Sequence, residues 1–129
     1  MKRDWDLIRT ILSEAEAKPP GQMLFDSQIS GWPIDEVRGH IDMLKDARFI
    51  EAHVLKGSGL GAATIVDAHV SGLTFKGHDL LDTIRSKTVW EKTKKLAKEK
   101  GVELTFDAVK ALAKMALDYV LKGGGDLSA

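Results

Sequence analysis

Apolar positions along the chain switch between a helical period of three to four and a strand period of two, and the switches predict the order of elements. Trp5, Ile8, Ile11, Leu12 and Ala15 recur at helical spacing over residues 2 to 17. Asp4 and Asp6 fall at the positive end of that helix. Pro19, Pro20 and Gly21 then end it. The stretch QMLFDSQISGW, residues 22 to 32, is too short and mixed for a helix and reads as a loop with a brief strand at Met23 to Phe25. Pro33 suits the first turn of a second helix, where a missing N–H is harmless. Val37, Ile41 and Leu44 give that helix a one-sided stripe as far as about Ala47.

Phe49, Ile50, Ala52 and Val54 begin a strand, KGSGLGAA (residues 56 to 63) turns, and TIVDAHV (residues 64 to 70) returns, which predicts a β-hairpin. Thr74 is the natural N-cap of FKGHDLLDTI, a helix with Leu80, Leu81 and Ile84 inward. A further helix over residues 88 to 100 buries Val89, Trp90, Thr93, Leu96 and Ala97 and stops at Gly101. The last helix starts at Thr105 or Asp107, and its Phe106, Val109, Leu112, Ala113, Ala116, Leu117 and Val120 cover more than one face.

This order predicts a mostly α chain with a small β-hairpin, an α+β fold of winged-helix type with a C-terminal helical extension. The expected organisation is a winged-helix-like domain over 1–86, helices at 87–122 packed on it in one globular unit, and a frayed tail at 123–129. A chain of 129 residues, 43% hydrophobic and 29% charged, fits one soluble domain. The charged start and the lack of a long apolar run predict a cytoplasmic protein with no membrane partner. Without cysteine, disulfides, thiolate metal sites and cysteine nucleophiles are excluded.

Net charge is zero but unevenly spread. Residues 1 to 84 hold 9 cations against 13 carboxylates, residues 85 to 100 hold 7 against 2, and residues 101 to 129 hold 3 against 4. The chain is thus an acidic body with one basic segment.

Three motifs, MKRDWDLIRTIL at the start, EVRGHIDMLKDARFIEA in the middle and LTFKGHDLLDTIRSKTVWEKTK at residues 73 to 94, resemble the bacterial and prophage family known as domain of unknown function 2513. The resemblance covers about residues 1 to 95 and leaves the last helix outside its best part. It implies a small winged-helix-like protein of bacteria and their phages, and it brings no activity with it. The family pattern commonly has a glycine before the apolar pair that enters the first wing strand, whereas here Arg48 precedes Phe49 and Ile50. Glycine there permits a left-handed helix cap, and arginine makes the same geometry more strained.

In a DNA-reading helix-turn-helix, the second helix enters the major groove. The outward positions of the Pro33 to Ala47 helix are Asp35, Arg38, Gly39, Asp42, Lys45 and Asp46. Arg38 and Lys45 are candidates for base contacts, and Asp42 could accept from cytosine. Asp35, Asp42 and Asp46 oppose this, because phosphates repel them, and the face otherwise reads as a solvated one or as one for a protein partner. The hairpin tip adds only Lys56. Gly57, Gly59 and Gly61 have the spacing of a phosphate-cradling loop but lie between two strands, where that motif does not work.

Arg85, Lys87, Lys92, Lys94, Lys95, Lys98 and Lys100 make the basic segment, with Glu91 and Glu99 spaced to pair with Lys95. It reads either as a solvated helix or as a surface for nucleic-acid phosphates, with Lys92, Lys95 and Lys98 as the contacts. His40, His53, His69 and His78 lack the close spacing of a zinc helix, and the hairpin brings at most His53 and His69 together. Ser58, Asp67 and His69 form no convincing nucleophilic set. No catalytic residue, metal ligand or cofactor is therefore expected. Two functions remain: a DNA-binding, prophage-type transcription regulator, dimerising through its C-terminal helices on double-stranded DNA, or a non-catalytic adaptor that binds a host or phage protein.

Overall fold

The computed structural model describes residues 1–57 and 64–123. These form α1 (Trp5–Ala17), β1 (Leu24–Phe25), a single 3-10 turn (Asp26–Gln28), α2 (Ile34–Asp46), β2 (Ile50–Lys56), β3 (Ile65–Leu73), α3 (Phe75–Ile84), α4 (Lys87–Lys100) and α5 (Phe106–Leu121). The fold is α+β, with the predicted order of helix, short strand, helix, hairpin and helices. The chain divides into two compact units, Met1–Leu80 and the residues from Leu81 onward, so the boundary falls inside α3.

In the first unit the three strands form one antiparallel sheet in the order β1-β3-β2. Alternation sets its two faces: Ala68 and Val70 of β3, Ile50 of β2 and Leu24 of β1 are buried, while Phe25 and His53 are exposed. Helices α1 and α2 pack together, and both contact β3. Their stripes, Leu7, Ile8, Ile11 and Leu12 with Val37, Ile41 and Leu44, supply the buried side chains of that core. Each such Leu or Ile contributes about 1.5–3 kcal/mol by leaving water.

The ends of these helices follow from short-range chemistry. Asp4 caps α1, its Oδ1 accepting from the amides of Asp6 at 2.9 Å and Leu7 at 3.1 Å. Pro33 stands one position earlier than its expected place in the first turn, as the N-cap of α2 with extended backbone. At the far end of α2, Arg48 adopts φ 65°. The amide of Phe49 donates to the Leu44 carbonyl at 3.0 Å and that of Arg48 to the Lys45 carbonyl at 3.0 Å, the paired bonds of a Schellman cap. Arginine thus holds the left-handed conformation that glycine adopts more easily.

Thr74 links two elements, its hydroxyl donating to the Arg48 carbonyl at 2.7 Å and accepting from the Gly77 amide at 3.1 Å, the latter capping α3 as the sequence predicts. Gly77 is needed there because a Cβ would collide with the carbonyl oxygen of Phe49 and sit 2.9 Å from its carbon. The hairpin closes through the Gly57 amide, which donates to the Thr64 carbonyl at 2.7 Å. Residues 58–63, the predicted tip, lie outside the described residues, as do residues 124–129 of the predicted tail.

In the second unit α4 and α5 pack against each other around Val89, Ala113 and Ala116, with Leu96 and Val120 at the margin. Ser86 caps α4 by accepting from the Val89 amide, so the helix begins at Lys87, one residue before the predicted start. Gly101 closes α4 at φ 64°, and Thr105, of the two predicted starts, caps α5. α5 buries Val109, Leu112, Ala113 and Ala116 and leaves Met115, Leu117, Tyr119 and Leu121 exposed, the last at 74%. Among the described residues, no helix is long and apolar enough to cross a membrane.

Candidate functional site

The outer face of α2 forms one wall of an open groove of about 590 Å3 within the first unit. Asp35, Asp42 and Asp46 project from this wall at intervals of seven and four residues, a stripe spanning about 16 Å along the helix axis. Gly39 and Met43 lie between them, Thr64 and Ile65 at the start of β3 line the opposite side, and Met1 reaches in from the chain start. The groove therefore combines three carboxylates with an apolar lining drawn from three separated segments.

Two nearby side-chain cations are engaged within the fold. Arg38 donates from Nε to Oδ2 of Asp26 at 2.7 Å, and Asp26 is buried and also accepts from the Ala68 amide at 3.2 Å. That hydrogen bond to Asp26 raises the Arg38 pKa against the desolvation that lowers it, so the guanidinium stays charged at every accessible pH. Its Nη1 also reaches the Ile65 carbonyl at 3.5 Å. Lys56 approaches Asp42 at 3.6 Å across the groove. Lys45 is exposed on α2 but is not among the lining residues.

The groove's geometry is fixed from behind by His40, which is fully buried. Its Nε2 accepts from the Asp4 amide at 2.8 Å, and its Nδ1 lies 2.7 Å from the Glu36 carbonyl. Only one tautomer satisfies both bonds: Nδ1 carries the proton and donates to the carbonyl. The indole Nε1 of Trp32 donates to Oδ2 of Asp4 at 2.9 Å, which completes a tie between the chain start, α1 and α2. His40 is thus a structural histidine.

Elsewhere, His53 and His69 face each other across β2 and β3 with ring centroids 5.2 Å apart, the pair the hairpin was expected to bring together. Phe25, 46% exposed, extends the row at 5.7 Å from His69. Among the described residues, no group of three His, Cys, Asp or Glu side chains could hold a metal ion. On α4, Glu91 pairs with Lys94 at 3.3 Å rather than with the expected Lys95. Lys92 sits 4.3 Å from the Tyr119 ring centre, and Lys95 and Lys98 are exposed.

Sequence reasoning named the three aspartates but not the apolar half of their groove. Gly39 was legible as an outward glycine on a helix; Met1, Met43 and Ile65 carry no local signal that would bring them together.

The chain matches the family profile described as hypothetical protein (DUF2513) over residues 2–103. It is also 37% identical over 123 residues to an uncharacterized protein of Haemophilus influenzae, covering 94% of this chain and 99% of that relative. The profile ends before α5 begins at Phe106, whereas the Haemophilus match leaves too little of this chain uncovered to omit that helix. No solved structure matches the chain. With the profile spanning α1 to α4 and the relative matched over nearly its whole length, the chain belongs to the DUF2513 family.

Proposed function

We propose that the protein is a non-catalytic recognition module of winged-helix type that binds a basic segment of a partner protein in the groove between α2 and the β-hairpin. One observation carries this reading: three carboxylates stand on the groove's wall, and of the nearby cations Arg38 is held by Asp26 while Lys56 offsets one of the three, Asp42. A surface of that sign repels nucleic-acid phosphates and attracts lysine and arginine. The face that a DNA-binding relative of this fold would lay in the major groove is therefore better suited to a protein. Arg38, the strongest candidate for a base contact, would have to leave a buried carboxylate to make one.

A second reading, a DNA-binding regulator, is favoured by α4, where Lys95 and Lys98 stand exposed on a basic helix. The two readings separate in one experiment. Fluorescence anisotropy is measured across a salt series with a labelled lysine-rich peptide and with labelled random duplex DNA. The parent is compared with an Asp35→Asn, Asp42→Asn, Asp46→Asn variant and a Lys92→Glu, Lys95→Glu, Lys98→Glu variant. The groove reading expects peptide binding that the asparagine variant abolishes and the glutamate variant retains. DNA binding that weakens steeply with salt and disappears in the glutamate variant, with no peptide binding, overturns it in favour of the regulator.

A further inference from the structure

The four histidines divide into two pairs by what their rings meet. His40 has both ring nitrogens engaged inside the fold, and His78 approaches Glu16 at 3.3 Å. His53 and His69 have ring contacts only: among the described residues, none gives their ring nitrogens a hydrogen-bond partner. The two are direct partners in the register of β2 and β3. β3 buries Ala68 and Val70 on the side packed by α1 and α2, so His69, between them, projects from the opposite face of the sheet. His53 stands exposed beside it. Residues directly opposite in an antiparallel pair hold their Cβ atoms about 4.5–5.5 Å apart, so the sheet itself fixes how far apart these rings start.

We propose that His53 and His69 form a site for one divalent transition-metal ion of the zinc, copper and nickel class, held by one nitrogen of each ring. Imidazole suits these ions, whereas magnesium and calcium take oxygen donors. A metal held tetrahedrally at about 2.0–2.1 Å from one nitrogen of each ring lies about 3.2 Å from each ring centre, which sets the two centres about 5.2 Å apart. The observed separation is 5.2 Å, with the ring planes tilted by 31°. Rotation about the Cβ–Cγ bond leaves a ring centre in place and re-aims its nitrogens, so the two rings converge on an ion without movement of the strands. Among the described residues no third His, Asp or Glu completes the set, so the remaining positions fall to water. The ion ties β2 to β3 through facing residues of the hairpin, on the side of the sheet away from α2, and the site stands independently of the groove reading.

The test is a zinc titration of the full chain labelled with 13C at the histidine Cε1 positions, which gives one NMR signal for each of the four histidines. The parent is compared with His53→Gln, His69→Gln and His78→Gln, and a parallel series replaces zinc with magnesium. The expected result is that the His53 and His69 signals move together and saturate at one ion per chain, while His40 and His78 stay fixed and magnesium moves none of them. His53→Gln and His69→Gln should each weaken zinc binding at least tenfold, because a chelate needs both rings, and His78→Gln should leave it unchanged. Amide spectra of the metal-free variants should match the parent away from the substituted residue, since both rings lie on the solvent side of the sheet. The site is overturned if the two signals move independently, if they do not saturate at one ion per chain, or if either single variant binds zinc with less than a tenfold loss. Zinc that shifts His78 as strongly as His53 would mean that surface histidines bind it singly, which overturns the site as well. The parent titration alone decides the question if a variant fails to fold.

Discussion

Replacing Arg48 by glycine is expected to stabilise the protein although it removes a whole side chain. Arg48 holds φ 65° at the end of α2, where the amides of Arg48 and Phe49 close the helix onto the Lys45 and Leu44 carbonyls. The left-handed conformation costs a residue with a Cβ about 1–2 kcal/mol, and glycine escapes that cost. Glycine in turn loses about 0.5–1 kcal/mol more conformational entropy on folding. The difference leaves a net gain of roughly 0.5–1 kcal/mol. With a urea dependence of about 1–3 kcal/mol per molar, the midpoint should rise by about 0.2–1 M.

Arg48→Ala is the control, because it removes the guanidinium yet keeps the Cβ that clashes; it should stay within about 0.5 kcal/mol of the parent. Equilibrium urea unfolding followed by tryptophan fluorescence reads both variants, with Trp5 and Trp32 lying in the unit that contains the cap. Glycine no more stable than alanine at this position would mean that the backbone there is unstrained, and the reasoning would fail.

Three other substitutions probe the supports of the groove and the hairpin. Gly77→Ala should lose about 1–3 kcal/mol despite alanine's better helix propensity, because its Cβ meets the Phe49 backbone, which cannot rotate away; a gain in thermal stability would contradict the close approach. Asp26→Ala should lose at least about 1–3 kcal/mol from the unpaired Ala68 amide alone, and should release Arg38, seen by NMR as a change at its Nε signal. An unmoved Arg38 signal would show that the pair does not hold in solution. His40→Ala strips the Asp4 amide of its acceptor and should lose about 1–3 kcal/mol, with hydrogen exchange at Asp4 accelerated; unchanged protection there would argue against the buried network.

What the sequence disclosed was whatever is encoded within a few residues. Thr74 caps the helix directly after it, so that start was legible to the residue. Thr105 was one of two candidates for the start of α5, and Asp4, read only as a charge at the positive end of a helix over residues 2 to 17, is the cap of an α1 that begins at Trp5. The turn at Asp26–Gln28 was not, because three residues give no period to read. The left-handed cap at Arg48 became visible only against the family's glycine, since arginine itself says nothing about φ. Glu91 chose Lys94 over Lys95, a decision between two permitted helical spacings that side-chain packing settles.

The candidate site divides the same way. Its three aspartates follow from the period of one helix. The engagement of Arg38 by Asp26, 12 residues away, and the tie from His40 to Asp4, 36 residues away, depend on how distant segments meet. So does the meeting of Met1 with Gly39, which turns an acidic stripe into a groove with an apolar floor.

The groove can be interrogated without any substitution by mapping amide chemical shifts of 15N-labelled protein as a lysine-rich peptide is added. Perturbations that saturate and cluster on residues 35–46 of α2 and on Thr64 and Ile65, leaving residues 87–100 unmoved, are the result expected of a module that takes a basic segment between α2 and the hairpin. Perturbations confined to α4, or none that saturate, would contradict it.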